Sequence, residues 1–129
     1  MPLLDTLSKM ATASGRAYLT LLRAEVFAVG LVGASARISP AQRALTLILS
    51  ERATDALFEL LERASLPGQM YALLGLSVSG QSGVEALLTN YRHRTDEVRT
   101  QTACFISSQP ICDVVARIED GTYSGLLHE

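Results

Sequence analysis

A chain of 129 residues, 48% hydrophobic and 19% charged, is long enough to bury a core and too apolar for a disordered protein. Its net charge of −2 argues against a general nucleic-acid binder, which carries a basic surplus.

The first fifteen residues, Met1 to Gly15, hold an early lysine but no uninterrupted apolar run of the kind a secretory leader needs. The uncharged stretch Val26 to Ala36 is eleven residues long and contains glycine, too short to span a bilayer. A cytoplasmic location is therefore expected, or a periplasmic or secreted one if a leader is missing. Arg16 to Arg23 has helical spacing through Leu19 and Leu22. Residues 25–33 mix β-formers with glycine, which suits a short strand or an extended cover, with a helix over the whole segment as the alternative. Residues 1–38 are expected to form an N-terminal cap on the rest of the domain.

From residue 40 onward the chain carries an internal repeat. Pro40, Gln42, Leu47, Leu49 and Ser50 recur at the same offsets as Pro67, Gln69, Leu74, Leu76 and Ser77. A third segment, Glu97 to Ser107, keeps the apolar places as Cys104 and Ile106 and the serine as Ser107. Seven and eleven residues beyond each serine stand Leu57 and Leu61, Val84 and Leu88, Val114 and Ile118. An interval of four puts each pair on one helical face. Pro40, Pro67 and Pro110 suit first helical turns, Ser39 can cap the helix that Pro40 opens, and Gly80, Gly83 and Gly121 suit turns or ends. The spacing predicts helices near 40–50, 53–64, 67–77, 83–93, 96–107 and 110–120.

At the third unit the pattern resembles a HEAT-type repeat, in particular the short kind of phycobilisome-lyase-like proteins. The residues that carry the likeness are Asp96-Glu97-Val98-Arg99, then Ala103 and Phe105, then Val114, Val115 and Ile118. It is specific only in the unit 96–120, since the first two units lack the Val-Arg pair. The resemblance implies a curved stack of hairpins used for protein recognition. The expected fold is mostly α: three helical hairpins at 40–64, 67–94 and 96–120 stacked as a short HEAT-like α-solenoid, in a single domain with a tail at 121–129.

The chemistry-bearing residues are few. No phosphate loop, nucleophile elbow or His-Glu-x-x-His motif occurs, and no cofactor is expected. Asp55, Glu59 and Glu62 share a helix, where a solvated face with a Glu59–Arg63 pair outweighs acid–base chemistry. Tyr91-Arg92-His93-Arg94, with Arg99 beyond, is the densest basic stretch, and arginine forks match carboxylate geometry. Its alternative role is to neutralise a helix C-terminus. Cys104 and Cys112 read as small core residues or as a disulfide across a helical hairpin; neither spacing with His93 or His128 makes a zinc motif. Ten arginines against a single lysine, Lys9, suggest GC-rich coding and so a bacterial source. The expectation is a non-enzymatic module binding another protein with an acidic surface through Tyr91, Arg92, His93, Arg94 and Arg99, with no nucleic acid and no membrane span. An immunity protein that blocks a toxin is one version. An enzyme or enzyme accessory using carboxylates, or a thiol switch through Cys104 and Cys112, is the alternative.

Overall fold

The computed structural model describes residues 13–33 and 36–127. Residues 1–12, which hold Lys9 and most of the segment Met1 to Gly15, and His128 lie outside the described residues. In chain order the elements are α1 (Ala13–Leu22), β1 (Phe27–Val32), β2 (Arg37–Ile38), α2 (Pro40–Ser50), α3 (Thr54–Arg63), α4 (Leu66–Ser79), α5 (Val84–Thr89), β3 (Glu97–Ala103), β4 (Phe105–Pro110) and α6 (Ile111–Glu119), followed by a 3-10 turn at Ser124–Leu126. The four strands form one sheet in the order β2-β1-β3-β4. β1 and β3 run parallel across a crossover that contains four helices, and the outer pairs are antiparallel.

This is an α/β fold, and the mostly-α solenoid is overturned. Helices form near 40–50, 54–63, 66–79 and 111–119, close to the expected bounds, and the segment 25–33 resolves to a strand. The error lies in the third unit. Where a helix was expected over 96–107, residues 97–110 make a β-hairpin with register Glu97↔Pro110 through Thr102↔Phe105. Val98, Thr100 and Thr102 are β-branched residues at every second position, a strand period that the overlay on the two preceding units hides. The burial follows that period, with Val98 and Thr100 inside and Glu97 and Arg99 outside. The repeat of Ser50 and Ser77 thus ends with Ser107 on a strand, opposite Thr100.

The helices that do form have local reasons. Ser39 accepts a hydrogen bond from the Gln42 N–H (3.1 Å) ahead of Pro40, as its position suggested. Ser65 caps α4 in the same manner from Gly68 (3.3 Å), and its hydroxyl donates to the Ala24 carbonyl (2.5 Å), tying the end of α1 to the start of α4. α4 is the central helix: Met70 to Leu76 are buried without interruption, so it carries no solvent stripe over that length. Gly75 lets it sit against α2 and α3, because a Cβ there would lie 2.9 Å from Leu45 Cδ1 and 3.0 Å from Leu57 Cδ1. Val114, Val115 and Ile118 form the buried face of α6, as their spacing implied.

Strand β2 is only two residues long, so it covers just Leu31 and Val32 of its neighbour. Side chains complete the rest of that edge. The Tyr71 hydroxyl accepts from the Ala28 N–H and donates to the Ala28 carbonyl, both at 2.8 Å. Buried Gln42 accepts from the Gly30 N–H at 2.7 Å and donates to the Leu126 carbonyl at 3.2 Å. Phe27 packs edge-on against both Tyr71 and Tyr123, at 4.8 and 5.0 Å between ring centroids. Gly30 adopts φ +92°, a conformation open to glycine at little cost.

Two measurements check this arrangement. Tyr71→Phe strands the Ala28 N–H and weakens its carbonyl's bonding, so chemical denaturation should show a loss of about 2–3 kcal/mol. Burial holds the Tyr71 pKa above its ordinary 10.0, partly offset by hydrogen bonds with Ala28 and Ser39. A raised tyrosine pKa means the contribution is complete below pH 10.0 and lost as pH rises through the folded value. Stability should therefore fall in alkali, and less steeply in Tyr71→Phe; the residual slope comes from Tyr18 and Tyr91, whose burial raises them too.

Candidate functional site

The basic stretch at the end of α5 does not remain free. Tyr91 is buried, and its hydroxyl donates to Gln69 Oε1 at 3.0 Å. Arg92 is clasped by two carboxylates, Glu119 of α6 at 2.6 Å and Glu85 of α5 at 2.5 Å. These bonds, Glu119 first, raise its pKa above the usual arginine value. Arg94 forks onto Asp96, with Nε–Oδ1 at 3.0 Å and Nη2–Oδ2 at 2.6 Å, and lies 5.4 Å from the Tyr91 ring centroid. That hydrogen bond holds the Asp96 carboxyl below its ordinary range. His93 and Arg99 are exposed, Arg99 on the open face of β3. The structure therefore gathers Tyr91, Arg92 and Arg94 into the joint between α5 and α6 and leaves Arg99 apart on the sheet. Their charges are spent on the protein's own acids.

The other sequence candidates also have local explanations. Glu59 and Arg63 pair at 3.4 Å along α3, the ordinary helical contact expected there. Cys104 stands in the exposed hairpin turn and Cys112 in the first turn of α6, both as free thiols. All of β4 runs between them, roughly 20 Å at a strand's rise per residue, far beyond disulfide reach. The alternative reading, a Cys104–Cys112 disulfide across a helical hairpin, is thus not met, because the segment is a strand; nor is either a core residue, since Cys104 is exposed and Cys112 half-buried. Among the described residues no group of His, Cys, Asp and Glu is arranged to hold a metal ion. No described helix is long and apolar enough to cross a membrane.

A different site emerges beside the short strand β2. Because β2 stops after Ile38, β1 and α2 diverge and leave an open groove of about 800 Å³. Its apolar walls are Leu31, Ile38, Leu47 and Leu126, and Leu31 is 58% exposed. Arg43 and Thr46 come from the stripe of α2 opposite the buried Ala44, Leu45 and Ile48. The hydroxyls in the groove are occupied: Thr46 donates to the Gln42 carbonyl at 3.0 Å and Ser50 to the Leu47 carbonyl at 2.7 Å. Arg43 is the cation of the groove, and no acidic residue lines it. Neither Arg43 nor the nearby exposed Arg37 has a carboxylate partner among the described residues. Sequence reasoning passed over Arg43 because it sits singly inside a helix that reads as core. The signal available was its position, one residue out of phase with the apolar stripe.

The chain matches no protein-family model, no curated protein and no solved structure.

Replacing Arg92 and Arg94 together by glutamate leaves Glu85, Glu119 and Asp96 facing like charges. The melting temperature of Arg92→Glu/Arg94→Glu should drop, with part of the loss recovered at high salt, where repulsion is screened. An unchanged melting temperature would show that these pairs hold nothing together.

Proposed function

We propose that this chain is a non-enzymatic protein-binding module that takes an acidic, apolar-flanked segment of a partner in the groove between β1, β2 and α2. One observation carries this reading: an apolar groove contains an arginine with no carboxylate among its lining residues. A guanidinium beside apolar walls favours a ligand that supplies both an anion and apolar side chains. Arginine's planar fork pairs with a carboxylate in two parallel hydrogen bonds. The walls formed by Leu31, Ile38, Leu47 and Leu126 gain from losing water contact. Arg37, exposed at the start of β2, lines with Arg43 and Ile38 the neighbouring pocket, adds to the positive field of this surface and favours encounter with acidic partners. This keeps the expectation of an acidic partner surface and moves its site from Arg92 and Arg94 to Arg43.

Peptide selection tests the reading. Random peptides bound by the wild type should be enriched in Asp or Glu flanked by Leu, Ile or Phe. The selected peptides should lose affinity about tenfold or more against Arg43→Glu, and a selection on that variant should turn toward Lys and Arg. The Arg92→Glu/Arg94→Glu variant, at a temperature where it is folded, should bind them as the wild type does. Selections with no acidic enrichment, or peptides indifferent to Arg43→Glu, would sink the proposal.

A further inference from the structure

The two edges of the sheet are treated differently. On the β1 side, Tyr71 meets the N–H and carbonyl of Ala28 and Gln42 meets the Gly30 N–H, and β2 is two residues long and bears Arg37. On the other side β4 is a six-residue strand with no further strand beside it among the described residues, and its first four residues are exposed. Phe105 is 78% and Ile106 53% exposed. Bare edges are usually protected by charge, proline or a bulge. From Cys104 to Cys112 there is no charged residue, and Pro110 stands only at the end of the strand.

The hydrogen-bond phase of β4 says which groups are free. The Ile111 N–H donates to the Asp96 carbonyl at 2.9 Å, and a two-residue turn closes the hairpin at Thr102↔Phe105. Alternation along an antiparallel ladder then points Phe105, Ser107 and Gln109 toward β3. Ile106 and Ser108 point their N–H and C=O outward, and neither has a backbone partner on that side among the described residues.

We infer that β4 pairs antiparallel with β4 of a second copy of this chain, about a two-fold axis through Ser107. In that register Ile106 faces Ser108 of the second copy, and Ser108 faces its Ile106. Each exchange makes a pair of backbone hydrogen bonds, so all four outward N–H and C=O groups of these two residues are used on each chain. Phe105 falls opposite Gln109, and no charge meets a like charge. The pairing uses the β4 edge of both copies, and the edge left on each is β2, two residues long and bearing an arginine, so assembly closes at a dimer with an eight-stranded sheet instead of growing. The inference is independent of the groove around Arg43, which lies at the opposite edge of the sheet.

A cross-linking register tests it. In a Cys104→Ser/Cys112→Ser background, Ser107→Cys places two thiols across the axis in a non-hydrogen-bonded pair, with Cα atoms about 4.5 Å apart, within disulfide reach. Mild oxidation should link that variant into a covalent dimer and leave Ile106→Cys, offset from its own copy, largely unlinked. Light scattering from about 1 to about 500 μM should show wild type and Arg43→Glu moving from monomer to dimer. Ser108→Pro removes one outward N–H without touching the ladder to β3, and should remain monomeric with an unchanged circular dichroism spectrum. Should that variant misfold, Ile106→Lys supplies the same comparison. A wild type that is monomeric throughout, or a dimer that links no better at 107 than at 106, overturns the inference.

Discussion

The open side of β1 is the constraint on which much of this structure depends. A strand whose neighbour ends after two residues leaves backbone donors and acceptors that must be satisfied or kept wet. Here Tyr71 of α4 and Gln42 of α2 supply the missing bonds to Ala28 and Gly30. Each is a side chain of a helix acting as a rung of a sheet. The clasp fixes where both helices lie against the strand, and Gln42 extends it to the chain's end by holding the Leu126 carbonyl. The aromatic contacts of Phe27 with Tyr71 and Tyr123 pack the same joint from the apolar side.

The groove arises from this arrangement. With Gln42 drawn under β1, the next stripe of α2 turns outward, and Arg43, Thr46 and Leu47 face a space that a longer β2 would have filled. The 3-10 turn, held by Gln42, brings Leu126 up as the facing wall. A fully buried polar side chain thus shapes a surface that it does not touch. Unlike Arg92 and Arg94, Arg43 has no acid in reach on its own helix: α2 carries no Asp or Glu.

Charge density along the chain was a poor guide to which arginines stand without a carboxylate partner, and the reason is geometric. The cluster at 91–94 is dense because it stands at a junction of elements, and junctions bring carboxylates from elsewhere. Glu119 lies 27 residues beyond Arg92 in sequence and meets it at 2.6 Å. Asp96, which seemed to open a helix, instead takes both prongs of Arg94. The groove has the opposite character, since its elements converge from residues 30 to 126 and leave one cation among apolar walls.

What was legible in the sequence was the part whose bonds are local. Helix hydrogen bonds close over four residues, so periodicity, the Ser39 cap and the prolines placed α2, α3, α4 and α6 within a few residues. The buried stripe of Val114, Val115 and Ile118 was visible for the same reason. Residues 27–32 could be read as a strand but not assigned one, since a strand's bonds belong to its neighbours. The hairpin at 97–110 was missed because overlay on two helical units outweighed the alternation of Val98, Thr100 and Thr102. Only tertiary structure decided that β1 and β3 lie side by side across a 64-residue gap between Val32 and Glu97. It likewise decided that Tyr71 reaches Ala28, that Arg92 is neutralised and that Arg43 is not.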